Sequence, residues 1–279
     1  MANLKEERKE FESLGHIYPV QTGVSIKQQV IAGVPAHWFT PEHVSGSEVV
    51  IFLHGGGFIY GSIESHQAMV SHIAKAIERK MLLVEYSLAP EHPFPAALNE
   101  TVAVIQELVR THRDFQFSVM GDSAGGNLAM STALKLKSLH AQPALYHVLI
   151  SPWVNMETVY PSYAKNEKLD PIITKDFVEY AAGLYSAGHN LKDPLISPVH
   201  GDFKGIAPTL VLVGAHEVLT DDSVFLYEAL EKAGVPSELK MYDGANHVWP
   251  LVDIQSERSK EALDEIKDFI TVHQESAVK

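Results

Sequence analysis

Apolar residues gather along the chain in short runs separated by longer amphipathic stretches. The runs are Val49–Leu53, Met81–Tyr86, Phe115–Met120, Ala144–Ile150 and Thr209–Val213. Runs this short, with few polar interruptions, suit strands buried on both faces, as parallel strands are. Between them the pattern turns helical at Ser65–Glu78, Ala96–His112, Ala124–Ser138, Asp222–Ala233 and Arg258–Thr271. The fourth helix carries its own punctuation: Asp and Ser at its start, where a side-chain cap is expected, and Gly234 with Pro236 beyond its end. Strand alternating with helix predicts an α/β fold, a mostly parallel sheet flanked by helices. Ser25–Val30 and Ala36–Phe39, either side of Gly33 and Pro35, predict an antiparallel hairpin at the sheet edge. A last alternating run, Ser237–Tyr242, leads into a polar loop.

One stretch breaks the rhythm. From Asn155 to about Gly205 there is no strand pattern, only Pro, Tyr, Lys and Asp around one amphipathic segment, Lys175–Ser186. That is too long for a plain connection in a compact fold. The expectation is one domain, residues 1–279, with a helical lid inserted at about 155–205 and residues 1–20 as a second contributor to it.

Composition narrows the class. Of 279 residues, 46% are apolar and 20% charged, the range of a folded globular protein. The formal charge of −13 argues against nucleic acid and anionic membrane surfaces as partners, since both select basic patches. With no cysteine, disulfides, thiolate nucleophiles and Cys-ligated metals are excluded. The start, MANLKEERKEFESLG, is polar where a signal peptide needs an apolar stretch, and no run approaches the length of a membrane span. A cytoplasmic location is the default.

The candidate chemistry lies at the ends of the buried runs. Gly121-Asp122-Ser123-Ala124-Gly125 has the G-x-S-x-G form directly after Phe115–Met120 and before a helix. In a strand–turn–helix setting the central serine stands on a tight turn as a nucleophile, with flanking glycines that let the backbone pass. His54-Gly55-Gly56-Gly57-Phe58 follows Val49–Leu53. Successive glycines cost backbone entropy unless something must approach the main chain. Acyl transfer needs N–H donors about 3 Å from a developing oxyanion, and a glycine turn can aim two of them. The N–H of Ala124, at a helix N-terminus, would be another. A phosphate loop is the competing reading, but no Gly-Lys-Ser/Thr follows and no G-x-G-x-x-G fits.

His247 lies in the polar loop Asp243-Gly244-Ala245-Asn246-His247, after both the serine and a carboxylate loop, the Ser…acid…His order of such enzymes. Three carboxylates compete for the acid. Glu217 stands in the loop just past Thr209–Val213 and is favoured, while Asp221 and Asp222 fall at a helix start and suit N-caps. His216-Glu217 does not make a zinc motif, because Thr220 stands where the second histidine of H-E-x-x-H would be. No metal and no cofactor are implied.

Together these residues resemble the hormone-sensitive-lipase-like esterases of the α/β-hydrolase fold, from about Val49 through His247. His54–Phe58 is similar to that family's HGGG oxyanion motif and Gly121–Asn127 to its GDSAGGN nucleophile elbow. Tyr86–Ala97 is similar to its YRLAPEHPFPAA segment, with Ser87 in place of the usual arginine. The resemblance implies a catalytic Ser123, Glu217 and His247, with Gly56, Gly57 and Ala124 as the oxyanion donors and Gly55 an alternative for one of them. Glutamate at the acid position departs from the usual aspartate, though members with glutamate are known. The segment ahead of His54 is short, which implies a reduced lid, an open site and short acyl chains. The expected activity is hydrolysis of a small-molecule carboxylic ester through an acyl-enzyme, with a homodimer admissible. Two rivals share the scaffold: an amide hydrolase such as an arylformamidase or peptidase, and a non-catalytic small-ligand receptor, in which the triad histidine is lost.

Overall fold

The computed structural model of the chain describes residues 2–276. Eight strands form one sheet: β1 (Val24–Ile31), β2 (Val34–Pro41), β3 (Val49–Leu53), β4 (Lys80–Val84), β5 (Phe117–Asp122), β6 (His147–Ile150), β7 (Thr209–Gly214) and β8 (Ser237–Tyr242). Their order is β1-β2-β4-β3-β5-β6-β7-β8. The β1–β2 hairpin is antiparallel at one edge, β2 meets β4 antiparallel, and every later pair is parallel.

Helices α1 (Ala2–Glu12), α2 (Ile63–Ile77), α3 (Ala96–Thr111), α4 (Ala124–Ser138), α5 (Ser162–Lys165), α6 (Lys175–Ser186), α7 (Thr220–Lys232), α8 (Trp249–Val252) and α9 (Glu257–Ser276) fill the connections. The two-residue period of the strands sorts the core onto two faces. Ile51, Leu53, Val84, Val119 and Val211 pack on one side with apolar positions of α3, α4 and α7. Val50, Phe52, Leu83, Met120 and Leu212 pack on the other with α2 and α9. Among the described residues, no helix is long and apolar enough to cross a membrane.

Several boundaries differ from the sequence pattern. Helix α2 starts ahead of Ser65 because Ser62 and Ser65 form a reciprocal capping box. Strand β6 begins only at His147, although Leu145 N–H already donates to Phe117 C=O, at the start of β5, at 2.9 Å. Helix α7 starts at Thr220, so Asp221 and Asp222 lie inside its first turn and cap nothing. Both carboxylates turn sideways to other chain segments, as described below. Helix α1 had no counterpart in the hydrophobic pattern. Its apolar stripe is sparse, chiefly Leu4 (buried) and Phe11 (half-buried), among charged residues of good helix propensity.

Candidate active site

Because the parallel strands all point one way, the loops after β3, β5, β6, β7 and β8 collect at a single end of the sheet. Ser123 follows β5 directly, with φ 51° and ψ −119°, a backbone conformation disfavoured for any residue with a Cβ. The turn is locked from all sides. Ser123 N–H donates to Ile150 C=O at 2.9 Å, and Ser123 C=O accepts from Gly126, Asn127 and Trp153. Close approach also explains Gly125, where a Cβ would fall 1.9 Å from Leu53 O. Helix α4 therefore starts against the end of β3, beside the triple-glycine loop.

A hydrogen-bonded line runs through three of the sequence candidates. Ser123 Oγ lies 2.9 Å from His247 Nε2, and His247 Nδ1 lies 2.9 Å from Glu217 Oε2. Glu217 is fully buried, and its other oxygen accepts from Ser151 Oγ at 2.6 Å and Gly214 N–H at 2.5 Å. Burial tends to lower the His247 pKa, but its bond to Glu217 and the charges of Glu217, Asp170 and Asp122 outweigh that and hold it above the ordinary histidine value. A carboxylate so placed fixes Nδ1 as the protonated nitrogen and leaves Nε2 to accept a proton from the serine.

The other acid candidates are engaged elsewhere. Asp221 Oδ2 accepts from Ser162 N–H at 2.8 Å. Asp222 Oδ1 accepts from Val154 and Asn155 N–H, and burial pushes its carboxyl up to about 8. An acid mostly protonated near neutral pH cannot stabilise an imidazolium.

The triple-glycine loop divides its donors. Gly55 N–H donates to Asp122 Oδ1 at 3.0 Å and so is not available to a ligand. Among the described residues, no protein acceptor takes the N–H of Gly56 or Gly57, and both face the pocket that Ser123 lines. Gly56 sits at φ +107°, open to glycine and strained for anything else. Ala124 is the first residue of α4, where helical N–H groups have no partner within the helix.

Residues 50–251 match the α/β-hydrolase fold family. An esterase of Acinetobacter venetianus is 31% identical over 95% of this chain and 88% of its own. An acetyl-hydrolase of Streptomyces hygroscopicus is 33% identical over 77% of this chain and 72% of its own. The crystal structure of an esterase from the bacterial hormone-sensitive lipase family superposes with a TM-score of 0.92, at 34% identity over 96% of this chain and 90% of that one. The chain belongs to the hormone-sensitive-lipase-like esterases of the α/β-hydrolase fold.

Within this hydrolase, residues outside the motifs hold the motifs in place. Ser151, at the end of β6, donates to Glu217 and accepts from Val248 N–H at 3.1 Å, tying the acid loop to the histidine loop. Nothing in the sequence marked it, because Ser151 lies far from both in the chain. Asp122 serves the glycine loop through Gly55 and faces His66 Nε2 at 3.4 Å. His54 is framework: burial and His66 push its pKa down to about 3, and its ring stacks on Tyr86 with centroids 4.2 Å apart. Asp170 accepts from Val218 N–H at 3.0 Å and from Ile172 and Ile173 N–H, joining the strandless segment to the acid loop.

Above these groups lies a cleft of about 450 Å³. Its floor includes Ser123, His247, Gly56 and Gly57, and its walls include Phe11 and Leu14 near α1, Ile172 and Phe177 near α6, and Leu251. The short amino-terminal segment thus supplies a wall. Arg8 pins it, with Nε on Ile59 C=O at 2.8 Å, one Nη on Ala89 C=O at 2.9 Å, and two bonds to the Glu91 carboxylate. Phe11, Tyr60 and Phe177, all lining the cleft, stack in sequence, centroids 5.6 and 6.0 Å apart. Among the described residues, no three His, Cys, Asp or Glu side chains are grouped to hold a metal ion.

Proposed function

We propose that this chain is a serine carboxylesterase acting on short-chain acyl esters, with Ser123 as nucleophile, His247 as base and Glu217 as its orienting acid. The observation that carries the reading is the unbroken Ser123–His247–Glu217 line at the floor of an apolar cleft. Ser123 Oγ attacks the ester carbonyl carbon as its proton passes to His247 Nε2. The carbonyl oxygen, now an oxyanion, takes hydrogen bonds from the N–H groups of Gly56, Gly57 and Ala124. Collapse breaks the bond to the alcohol oxygen, which leaves with the proton from His247. Water then adds to the acyl-enzyme by the same route, returning the proton to Ser123 and releasing the carboxylic acid. Glu217 holds the imidazole tautomer and offsets its positive charge at each protonated stage.

In this reading the segment 155–205 and α1 form a lid over one domain. Short acyl chains are favoured because the cleft is bounded by Phe11, Phe177 and Leu251. Each further buried CH₂ contributes about 0.8 kcal/mol only while apolar wall remains to receive it. The acetyl-hydrolase among the relatives agrees with that range. The test is a series of p-nitrophenyl esters from acetate to palmitate, with Ser123→Ala as control. Activity is expected to peak between acetate and hexanoate and to fall by about 10⁴ or more in the variant. Intact mass after a sulfonyl fluoride is expected to show one adduct, on Ser123. Maximal kcat/KM on palmitate, or an active Ser123→Ala, sinks the reading.

A further inference from the structure

A second cavity, of about 360 Å³, lies at the other end of the sheet, where β6 and β7 begin. It stands apart from the cleft, with which it shares no described lining residue. Helix α4 starts at Ala124, beside Ser123, and reaches this cavity with its last turns, 15 residues or about 22 Å in all. Small residues leave the space open. Ala133, Ala141, Ala144, Gly205 and Ala207 line it, where longer apolar side chains would close a core to its usual density.

Among the described lining residues the one buried polar side chain is His147, 1% exposed. Neither of its ring nitrogens has a hydrogen-bond partner of normal geometry among the described residues. Burial pushes its pKa down to about 4, which the nearby Ala207 carbonyl only partly offsets, so the ring is neutral. A neutral imidazole carries one N–H donor and one acceptor nitrogen, and burying them unpaired is costly. The strand does not require them. Its pairing is made by the backbone, with His147 N–H on Pro208 C=O at 2.8 Å, and Leu149, two residues along on the same face, is aliphatic. A hydroxyl both donates and accepts, so it pairs with either tautomer of the ring, while an apolar body suits the alanine walls. A carboxylate suits the cavity less. Lys137 and His140, the other titratable lining side chains, are half-buried and exposed, and Lys137 Nζ donates to Asp202 Oδ2 at 2.8 Å. An anion inside would lose its water with no free cation to pair it.

We propose that this cavity is a second small-molecule site, one that takes a neutral apolar molecule with a hydroxyl group bonded to His147, phenol being the simplest of the class. Phenol, toluene and benzoate test this, because they present the same ring with a hydroxyl, a methyl or a charged carboxylate. Each is titrated into the intact protein while alanine methyl and histidine ring signals are followed by NMR. Phenol is expected to shift the methyls of Ala133, Ala141 and Ala144 together with the His147 ring, saturably, with a Kd of about 10⁻⁴–10⁻³ M. Toluene is expected to bind at the same residues about five- to tenfold more weakly, and benzoate more weakly still. Ala133→Leu fills the space and is expected to abolish the shifts. His147→Leu is expected to keep the cavity but bring the ratio of phenol to toluene affinity near one. No saturable shift at these residues with about 20 mM phenol, as when water alone fills the space, overturns the proposal. Toluene binding as tightly as phenol, benzoate binding tightest, or a preference for phenol untouched in His147→Leu overturns it too. Shifts confined to the cleft do the same, and none of these outcomes bears on the esterase reading.

Discussion

The floor of the cleft and the proposed lid, its roof, are built from the same chain by different kinds of contact. On the floor the candidate acid, the histidine loop and the serine turn are fixed by buried bonds. Glu217 accepts three hydrogen bonds at full burial, and Gly55, Ser123 and Val248 are each tied through the backbone. Buried polar groups left unpaired cost about 1–3 kcal/mol each, so such an arrangement has one stable geometry. On the roof, the root is buried, where Asn166 donates to Glu217 C=O at 2.8 Å and Asp170 holds Val218. Its rim is not. Helix α1 depends on Arg8–Glu91, an ion pair with side chains 25% and 49% exposed, and on ring stacking. A rigid floor suits a reaction that tolerates little displacement, and a soft rim suits entry and exit.

The largest effect that separates the two regions is expected at Glu217. Glu217→Gln keeps the volume but removes the charge, and the corresponding change in serine proteases costs on the order of 10⁴ in kcat. A loss of about 10³ is expected here, with a melting temperature to show that the fold survives. The pH profile supplies a second reading. With His247 as the proposed base, activity needs its neutral form, so the acid limb of kcat/KM follows its pKa, which the bond to Glu217 raises. Activity is therefore expected to fall as pH drops through a value above the ordinary histidine value in the native enzyme, and the limb to move to lower pH in Glu217→Gln. By contrast Asp221→Asn keeps an oxygen for Ser162 N–H and is expected to change kcat less than about threefold. A dead Asp221→Asn beside an active Glu217→Gln contradicts the assignment of the acid.

Next in size is the glycine loop. Gly56→Val forces a β-branched residue to φ +107° and brings its Cβ to 2.5 Å from the Tyr60 carbonyl oxygen, well inside van der Waals contact. Loss of one oxyanion donor typically costs about 10²–10³ in kcat. Asp122→Asn is the gentler companion. It retains an acceptor for Gly55 N–H but drops the charge facing His66, and a loss of about tenfold is expected. A folded Gly56→Val with native kcat would mean that the loop serves packing alone.

Floor and roof also differ in how they read from sequence. Strands β3 and β8 and helices α4 and α6 lie where the periodicity puts them, because parallel strands and core-facing helices are patterned by burial itself. Residues 121–125 and 54–58 stand out because tight turns and close backbone approach demand glycine, which leaves a mark in a short window. Glu217 could be preferred over its neighbours by its distance from β7. Asp222 could not be ruled out in advance, because its raised pKa and its bonds to Val154 and Asn155 arise from a segment distant in the chain. Ser151 and Asp170 act across similar separations and left no local pattern. Helix α1 stayed hidden for another reason: a rim element buries one sparse stripe, and its periodicity is faint. The boundaries at β6 and at the start of α7 are set beside bonds to other elements, whereas that of α2 moved with a local capping box.

The smallest expected effect falls on the rim, and it bears most directly on the contrast. Arg8→Met keeps much of the aliphatic stem but removes the bonds to Glu91, Ala89 and Ile59 that pin α1. Exposed ion pairs contribute at most about 1 kcal/mol, and the backbone carbonyl bonds add a comparable amount. Among the described residues Arg8 reaches the glycine loop only indirectly, through Ile59, whose N–H donates to Gly56 C=O at 3.1 Å, and Ala89, whose N–H donates to Phe58 C=O at 2.9 Å. The variant is therefore expected to raise KM for p-nitrophenyl hexanoate about three- to tenfold, as the wall at Phe11 and Leu14 loosens, with kcat within about twofold of native. Acetate, too short to need that wall, is expected to show little change. Salt gives the internal control: rising NaCl weakens Arg8–Glu91 and raises the native KM for hexanoate, whereas Arg8→Met has no such pair left to screen. A fall in kcat of about 10² with KM unchanged would place Arg8 among the groups that hold the glycine loop, and the division between a fixed floor and a soft rim would fail at that residue.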